Sequence, residues 1–384
     1  MKYFSVPADF KDESIDKLAY LNSQYKDSKV IEVYGQKTEG NIINSGRMVD
    51  TLPQITDEQF YSYIRKANEK GINFNYTLNP SCFGNLEFRE QGIQEIRSLI
   101  TQLEERGVHC LTLSSPAIME LCKKFNPHVK IKASAICEIN SPMKSLFYKE
   151  LGVKRIVLDP DITRDFGKIK NICRVMGDGV EVIINNVCLR NCAYKMFHYN
   201  HEAHCSRGEM QEVRDFFTNR CSMQKAKRVE NVMKLNWIRP EDLKFYEACG
   251  IKYFKIQGRQ NVLEGDLFKV LEAYFEQNYT GNLYDLITLF APYNSFQCYI
   301  DNKKLDGFLD VFYENEKFCT EKCDSCNYCR KFSEKCIDIE TAENLNESAK
   351  KFFGSIDTYK KIKKPSAHDL MNLQNMEFNF DIQE

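Results

Sequence analysis

Between residues 29 and 259 the apolar and polar positions repeat one order: a short β-branched or aromatic run, a polar loop, an amphipathic helical segment, then glycine. Four stretches show it plainly: ANEKG-INFNYTL, LEERG-VHCLTL, KELG-VKRIVL and EACG-IKYFKI. They place Gly71, Gly107, Gly152 and Gly250 where a helix C-terminus needs positive φ, with a strand starting at once. The apolar runs predict eight strands, at 30–35, 74–79, 110–115, 130–136, 155–160, 181–186, 234–238 and 253–258. These runs are apolar on both faces, as parallel strands covered by helices are. The pattern predicts an α/β fold, a (β/α)8 TIM-type barrel over residues 1–290, with an amphipathic helix at 262–277 closing the last unit. An open doubly wound sheet is the structural alternative, but no GxGxxG loop opens the first helix. Residues 291–384 read as a small C-terminal extension, with a cysteine-rich knuckle at 319–336 and a polar tail containing YKKIKKP.

Charge narrows the partners. Lys+Arg 53 against Asp+Glu 54 leaves a net charge of -1, so the overall balance draws the chain neither to nucleic acid nor to an anionic membrane. No apolar run reaches the roughly 18 residues of a membrane span. The N-terminus MKYFSVPADFKDESIDKL carries charges where a signal peptide needs an apolar stretch, so a cytoplasmic protein is expected. In that reducing compartment the 16 cysteines point away from disulfides and towards a soft metal or an iron–sulfur cluster.

Barrel enzymes carry their chemistry just after the strands. The segment after the strand at 181–186 holds Cys188-x3-Cys192-x12-Cys205-x15-Cys221, four thiols able to hold either tetrahedral zinc or a [4Fe–4S] cluster. Cys82, at the same rim, is the rival of Cys205. His198, His201 and His204 recur every third residue, and His198 is kept as a candidate acid, base or substrate contact. Lys255 and Arg259, in KIQGR, offer fixed cations for a carboxylate or phosphate. Asp159 and Asp161 read as an N-cap of the next helix. A second set, Cys319-x3-Cys323-x2-Cys326-x2-Cys329 followed by Cys336, is ferredoxin spacing read backwards and suits zinc or a second cluster, with a redox dithiol third. Cys110, Cys122, Cys137, Cys173, Cys249 and Cys298 fall inside element patterns and read as core. No GxSxG, HExxH or P-loop occurs.

The run NNVCLRNCAYKMFHYNH (185–201), then Cys221, then NWIRPEDLKFYEACGIKYFKIQGR (236–259) resembles the collagenase-like peptidase family U32, over about residues 30–280. That resemblance implies a TIM-type barrel with one [4Fe–4S] cluster on four cysteines. Cys188, Cys192 and Cys221 match the family's positions, with Cys205 as fourth and Cys82 as its rival. It also implies oxygen-independent hydroxylation of a tRNA uridine, a ribosomal RNA cytidine or a ubiquinone-precursor ring, with prephenate as oxygen donor in some members. The chain departs from the collagenase-like branch: Asn186-Val187 precede Cys188, and only three residues separate it from Cys192. By the same comparison it is expected to lack the large C-terminal domain of the RNA-modifying members. A small-molecule substrate is therefore favoured, with RNA not excluded.

Three functions follow as expectations. The first is an iron–sulfur oxidoreductase or hydroxylase, with Lys255 and Arg259 anchoring an anionic donor. The second is a metal-dependent peptidase using Glu181 or His198 as base. The third is an accessory protein passing electrons or sulfur to a partner protein.

Overall fold

The computed structural model describes residues 1–38, 45–208, 216–292 and 296–356. The Lys-rich segment 359–365 lies outside them. Among the described residues ten strands form: β1 (Lys2–Pro7), β2 (Ser28–Gly35), β3 (Asn73–Leu78), β4 (Cys110–Leu113), β5 (Lys130–Ala133), β6 (Arg155–Val157), β7 (Val180–Ile183), β8 (Asn185–Leu189), β9 (Leu235–Trp237) and β10 (Tyr253–Lys255). Eight of them close a parallel barrel in the order β1-β10-β7-β6-β5-β4-β3-β2, and helices surround it. Helices α1 (Asp12–Gln24), α2 (Asp57–Glu69), α3 (Glu90–Glu105), α4 (Pro116–Phe125), α5 (Pro142–Glu150) and α6 (Phe166–Met176) each follow a barrel strand. The (β/α)8 class expected from the apolar pattern is the fold of the chain.

One member of the strand set is corrected. The run at 234–238 is not a barrel strand: β9 pairs antiparallel with β8 outside the barrel. The eighth place belongs to β1, which lies between β10 and β2, with Tyr3 opposite Tyr253 and Lys2 opposite Ser28. Because β7 pairs directly with β10, Glu181 opposite Tyr253, no edge is left for 234–238 to join. β1 is inconspicuous in sequence because KYFSVP turns a polar Ser5 into the barrel between Phe4 and Val6, and all three are buried.

Local chemistry sets the ends of the helices. Thr56 and Gln59 form a reciprocal capping box at the start of α2, each side chain accepting from the other's backbone N–H. Gly71, Gly107, Gly152 and Gly250 all adopt positive φ, between 70° and 98°, as the αβ signature requires. α2, α3 and α6 bury one apolar stripe each, for example Phe60, Ile64 and Ala67 on α2.

The lower part of the barrel axis is charged. Lys132 of β5 ion-pairs with Glu32 of β2 and, at 2.7 Å, with Glu181 of β7, and all three are buried. Arg155 approaches Glu181 at 3.5 Å and Glu32 at 3.8 Å. Burial alone would raise the Glu32 carboxyl, but Lys132 and Arg155 outweigh it and hold its pKa well below the usual range. Removing one partner of such a set leaves an uncompensated buried charge. Lys132→Met should therefore destabilise the fold by about 3–5 kcal/mol, read as a lower urea midpoint with an unchanged slope; an unshifted midpoint would show that the ion pairs add nothing.

Candidate functional site at the barrel mouth

β7 runs straight on through Ile184 into β8, which leaves the barrel at its C-terminal rim and carries Cys188. Two asparagines hold this exit. Asn185 Nδ2 donates to the carbonyls of Gln257 (2.8 Å) and Ile287 (3.0 Å), and its Oδ1 accepts from Gln257 N (2.8 Å). Asn186 Nδ2 reaches Gln257 Oε1 (3.3 Å), while its Oδ1 accepts from Cys188 N (2.9 Å). The NNVC and KIQGR segments are thus stitched together, which fixes the first cysteine relative to Lys255 and Arg259.

After Cys192 come α7 (Lys195–Ser206), α8 (Phe216–Lys227) and the short α9 (Glu230–Met233). Lys195 pins the start of α7 to the β6 exit through Asp161 (2.6 Å), Asp159 (3.0 Å) and Glu138 (3.2 Å). Asp159 also accepts from Asp161 N at 3.1 Å, capping only the short turn Pro160–Ile162, whereas Asp165 caps α6 by accepting from Lys168 N; the N-cap reading is corrected to that extent, and Asp161 is an ion-pair partner of Lys195 instead. Farther along α7, Asn200 accepts from Ser81 Oγ at 2.7 Å, laying the helix across the β3 exit that carries Cys82.

Cys221, on α8, acts electrostatically on both Cys188 and Cys192. Burial, then Cys221, pushes the Cys188 thiol up to about 11. Cys192 is raised too, by partial burial first and then by Cys221 against a backbone hydrogen bond at Tyr194. Cys205 lies on α7 with its Sγ 3.6 Å from His201 Nε2. Three of the four expected thiols therefore share one neighbourhood. Among the described residues no three His, Cys, Asp or Glu side chains close on the position of a single metal ion. No disulfide joins any of the cysteines among the described residues.

The sequence reading did not single out two cations at this site. Lys225 follows Cys221 by one helical turn, is buried, and has no salt bridge among the described residues. Burial would lower its pKa, but Tyr284, Cys221 and Cys188 outweigh that and raise it. That i, i+4 spacing was legible. Arg47 stands in a loop without any motif, and its charge acts on Cys188, Glu202 and Arg259.

Lys255 and Arg259 are both buried at the mouth. Lys255 Nζ sits 3.8 Å from the centroid of the Tyr34 ring, and Arg259 Nη1 donates to Thr77 (3.0 Å) and Gln36 (3.2 Å). Neither has a carboxylate in ion-pair range among the described residues. Burial first, then Lys132, lowers Lys255 to about 8; burial and Arg47 lower Arg259 to about 10. His198 faces Glu202, Nε2 to Oε1 3.4 Å, and stacks on Phe217 at 5.3 Å. Glu181 does not reach the mouth. It lies level with Tyr253, two residues before Lys255, held by Lys132 and Arg155, so it cannot serve as the expected general base.

The IRPED segment is structural. Arg239 forks onto Asp242 (2.8 and 2.9 Å) and reaches Asn302 O and Asp306, clamping the C-terminal extension to the barrel. In that extension Cys319, Cys323, Cys326 and Cys329 line one cavity of about 260 Å³.

Such an arrangement defines a TIM-type barrel protein with a thiol-rich, cation-lined site at its C-terminal face. The chain belongs to peptidase family U32, whose model matches residues 45–277. It is 30% identical over 341 residues to the uncharacterized protease MJ1657 of Methanocaldococcus jannaschii, covering 88% of this chain and 98% of that protein. Among solved structures, the U32 peptidase Mk0906 aligns with a TM-score of 0.49 at 13% identity, over 67% of this chain and 94% of that one. No helix among the described residues is long and apolar enough to cross a membrane.

With a pKa of about 8, Lys255 is a cation at pH 7 and neutral above its titration. A small dicarboxylate such as malonate should bind at pH 7 and weaken by up to about 1.4 kcal/mol per pH unit beyond pH 8. Calorimetry should show that slope in the wild type and not in Lys255→Met; a pH-independent wild-type affinity would remove Lys255 as the anion's partner.

Proposed function

We propose that this protein is an iron–sulfur enzyme that carries a [4Fe–4S] cluster at the barrel mouth. Its reaction is oxygen-independent hydroxylation, or a related redox modification, of a small organic or nucleobase substrate. Cys188, Cys192 and Cys221 would hold the cluster, with Cys205 or Cys82 as the fourth ligand. The observation that carries this reading is the shared neighbourhood of three thiols with a buried lysine, Lys225, that has no carboxylate partner among the described residues. Thiolate-ligated iron–sulfur clusters bear net negative charge, and a desolvated cation beside them offsets it. A single zinc ion needs its ligands gathered on one point at about 2.3 Å per thiolate. A cluster takes one thiolate per iron.

When bound, the cluster would supply one-electron redox or Lewis-acid chemistry at the mouth. The chain's own residues do the rest. Arg259, fixed by Gln36 and Thr77, and Lys255, packed on Tyr34, hold an anionic carboxylate such as that of prephenate, the oxygen donor expected from the resemblance. Arg47 adds a third positive charge. His198 and Glu202 form a pair able to hold or pass a proton at Nε2. The near-neutral net charge favours a small-molecule substrate over an RNA.

The test is Cys188→Ala with Cys192→Ala in protein purified without oxygen. Relative to wild type the variant should lose about four iron and four acid-labile sulfide per chain, the content of one [4Fe–4S] cluster, and keep its far-UV helix signal. Unchanged iron and sulfide would sink the ligand assignment. Loss of zinc with no sulfide in either protein would move the peptidase reading, which the name of the M. jannaschii relative suggests, to first place.

A further inference from the structure

We propose that the C-terminal knuckle is a second, independent iron–sulfur site, with Cys319, Cys323, Cys326 and Cys329 as its ligands. The site lies beyond residues 45–277, the span of the family match. All four thiols line one cavity of about 260 Å³, with Arg228 and Lys234 on its wall. The first three cysteines are exposed and the fourth is half-buried, so the thiols rim the cavity instead of packing into the core. Six other cysteines of this chain, Cys122, Cys137, Cys173, Cys249, Cys298 and Cys336, show the contrasting buried environment.

The surroundings carry charge of the required sign. Arg190 Nη1 points at Cys319 Sγ from 3.9 Å. Arg228 and Lys234 stand on the wall of the same cavity as Cys329. Four thiolates round a cluster leave net negative charge, and guanidinium and ammonium groups at this range offset it.

The knuckle is also held rigidly enough to be a site. α10 (Tyr328–Cys336) packs through its own Tyr328 and Phe332 on Phe308, Phe312 and Phe318. Beneath that group, the buried Arg164 guanidinium lies 4.9 Å from the Phe308 ring and 5.1 Å from Trp237, and donates to Leu235 O at 3.0 Å. The knuckle is therefore moored on β9 and not on a free tail.

Spacing favours a cluster over zinc. Structural zinc sites use cysteine pairs separated by a long intervening segment, whereas here four cysteines fall within eleven residues, 319–329, at the x2 and x3 intervals of ferredoxin runs. The cavity leaves room for a multi-atom core, where a zinc site closes its four sulfurs on one ion. The loop between Cys188 and Cys192 touches the knuckle directly, through Arg190 to Cys319 and through Asn191 Nδ2 to Glu321 at 2.9 Å. The two cysteine sets are thus neighbours in space although about a hundred residues separate them in sequence. The knuckle site itself does not rest on the barrel-mouth assignment.

The deciding experiment counts iron, zinc and acid-labile sulfide on the full chain purified without oxygen, for wild type, Cys188→Ala/Cys192→Ala, Cys323→Ala/Cys326→Ala and the combined variant. The mouth variant should retain about four iron and four sulfide per chain, and the combined variant none. Retained iron and sulfide in the mouth variant would come from the knuckle even if the knuckle variant fails to fold. A mouth variant devoid of iron and sulfide overturns the proposal, as does one zinc per chain without sulfide in that variant. Should only the mouth reading fail, wild type would carry about four of each and lose them all with Cys323→Ala/Cys326→Ala.

Discussion

Two carboxylates and two cations fill the lower part of the barrel and leave no charge over. Glu32 and Glu181 are answered there by Lys132 and Arg155. Buried charges are tolerated only when paired, and this set uses up the carboxylates within its reach. Lys255, Arg259 and Arg47, nearer the rim, have no carboxylate in ion-pair range among the described residues. The balance inside the barrel therefore leaves these three cations to be answered by neutral groups such as Tyr34, Thr77 and Gln36.

The cysteines are placed by polar contacts that are modest one by one. Asn185 and Asn186 bind Gln257, so the strand bearing Cys188 is registered against the strand bearing Lys255. Lys195 binds the aspartates after β6 and fixes where the helix beyond Cys192 begins. Arg239 joins Asp242, Asn302 and Asp306 and brings the extension against the same side. The family motifs thus divide into two kinds. KIQGR supplies side chains to the mouth, whereas IRPED supplies a clamp.

Much of the barrel was legible because its signals are local. A glycine with positive φ ending a helix, followed at once by a β-branched run, specifies an αβ junction without long-range information, and all four such glycines adopt that conformation. The run at 234–238 misled for the opposite reason: its composition is that of a barrel strand, but β7 and β10 had already paired with each other. β1 escaped notice because its inward Ser5 breaks the apolar run. The grouping of Cys188, Cys192 and Cys221 was legible from the resemblance to family motifs. The i, i+4 spacing of Lys225 from Cys221 was legible as well, although the sequence reading passed over it, whereas Arg47 gave no signal, since a loop residue has no periodicity to betray it.

By itself the sequence determined the α/β repeat, the family and the two cysteine sets, because each is written in residues a few positions apart. Only the tertiary structure decided which strand closes the barrel, that Glu181 is spent inside it, and that Arg190 and Asn191 bring the first cysteine loop against the second. Those outcomes depend on which edges remain unpaired and which charges remain unanswered once the chain has closed on itself, and both are properties of the whole barrel.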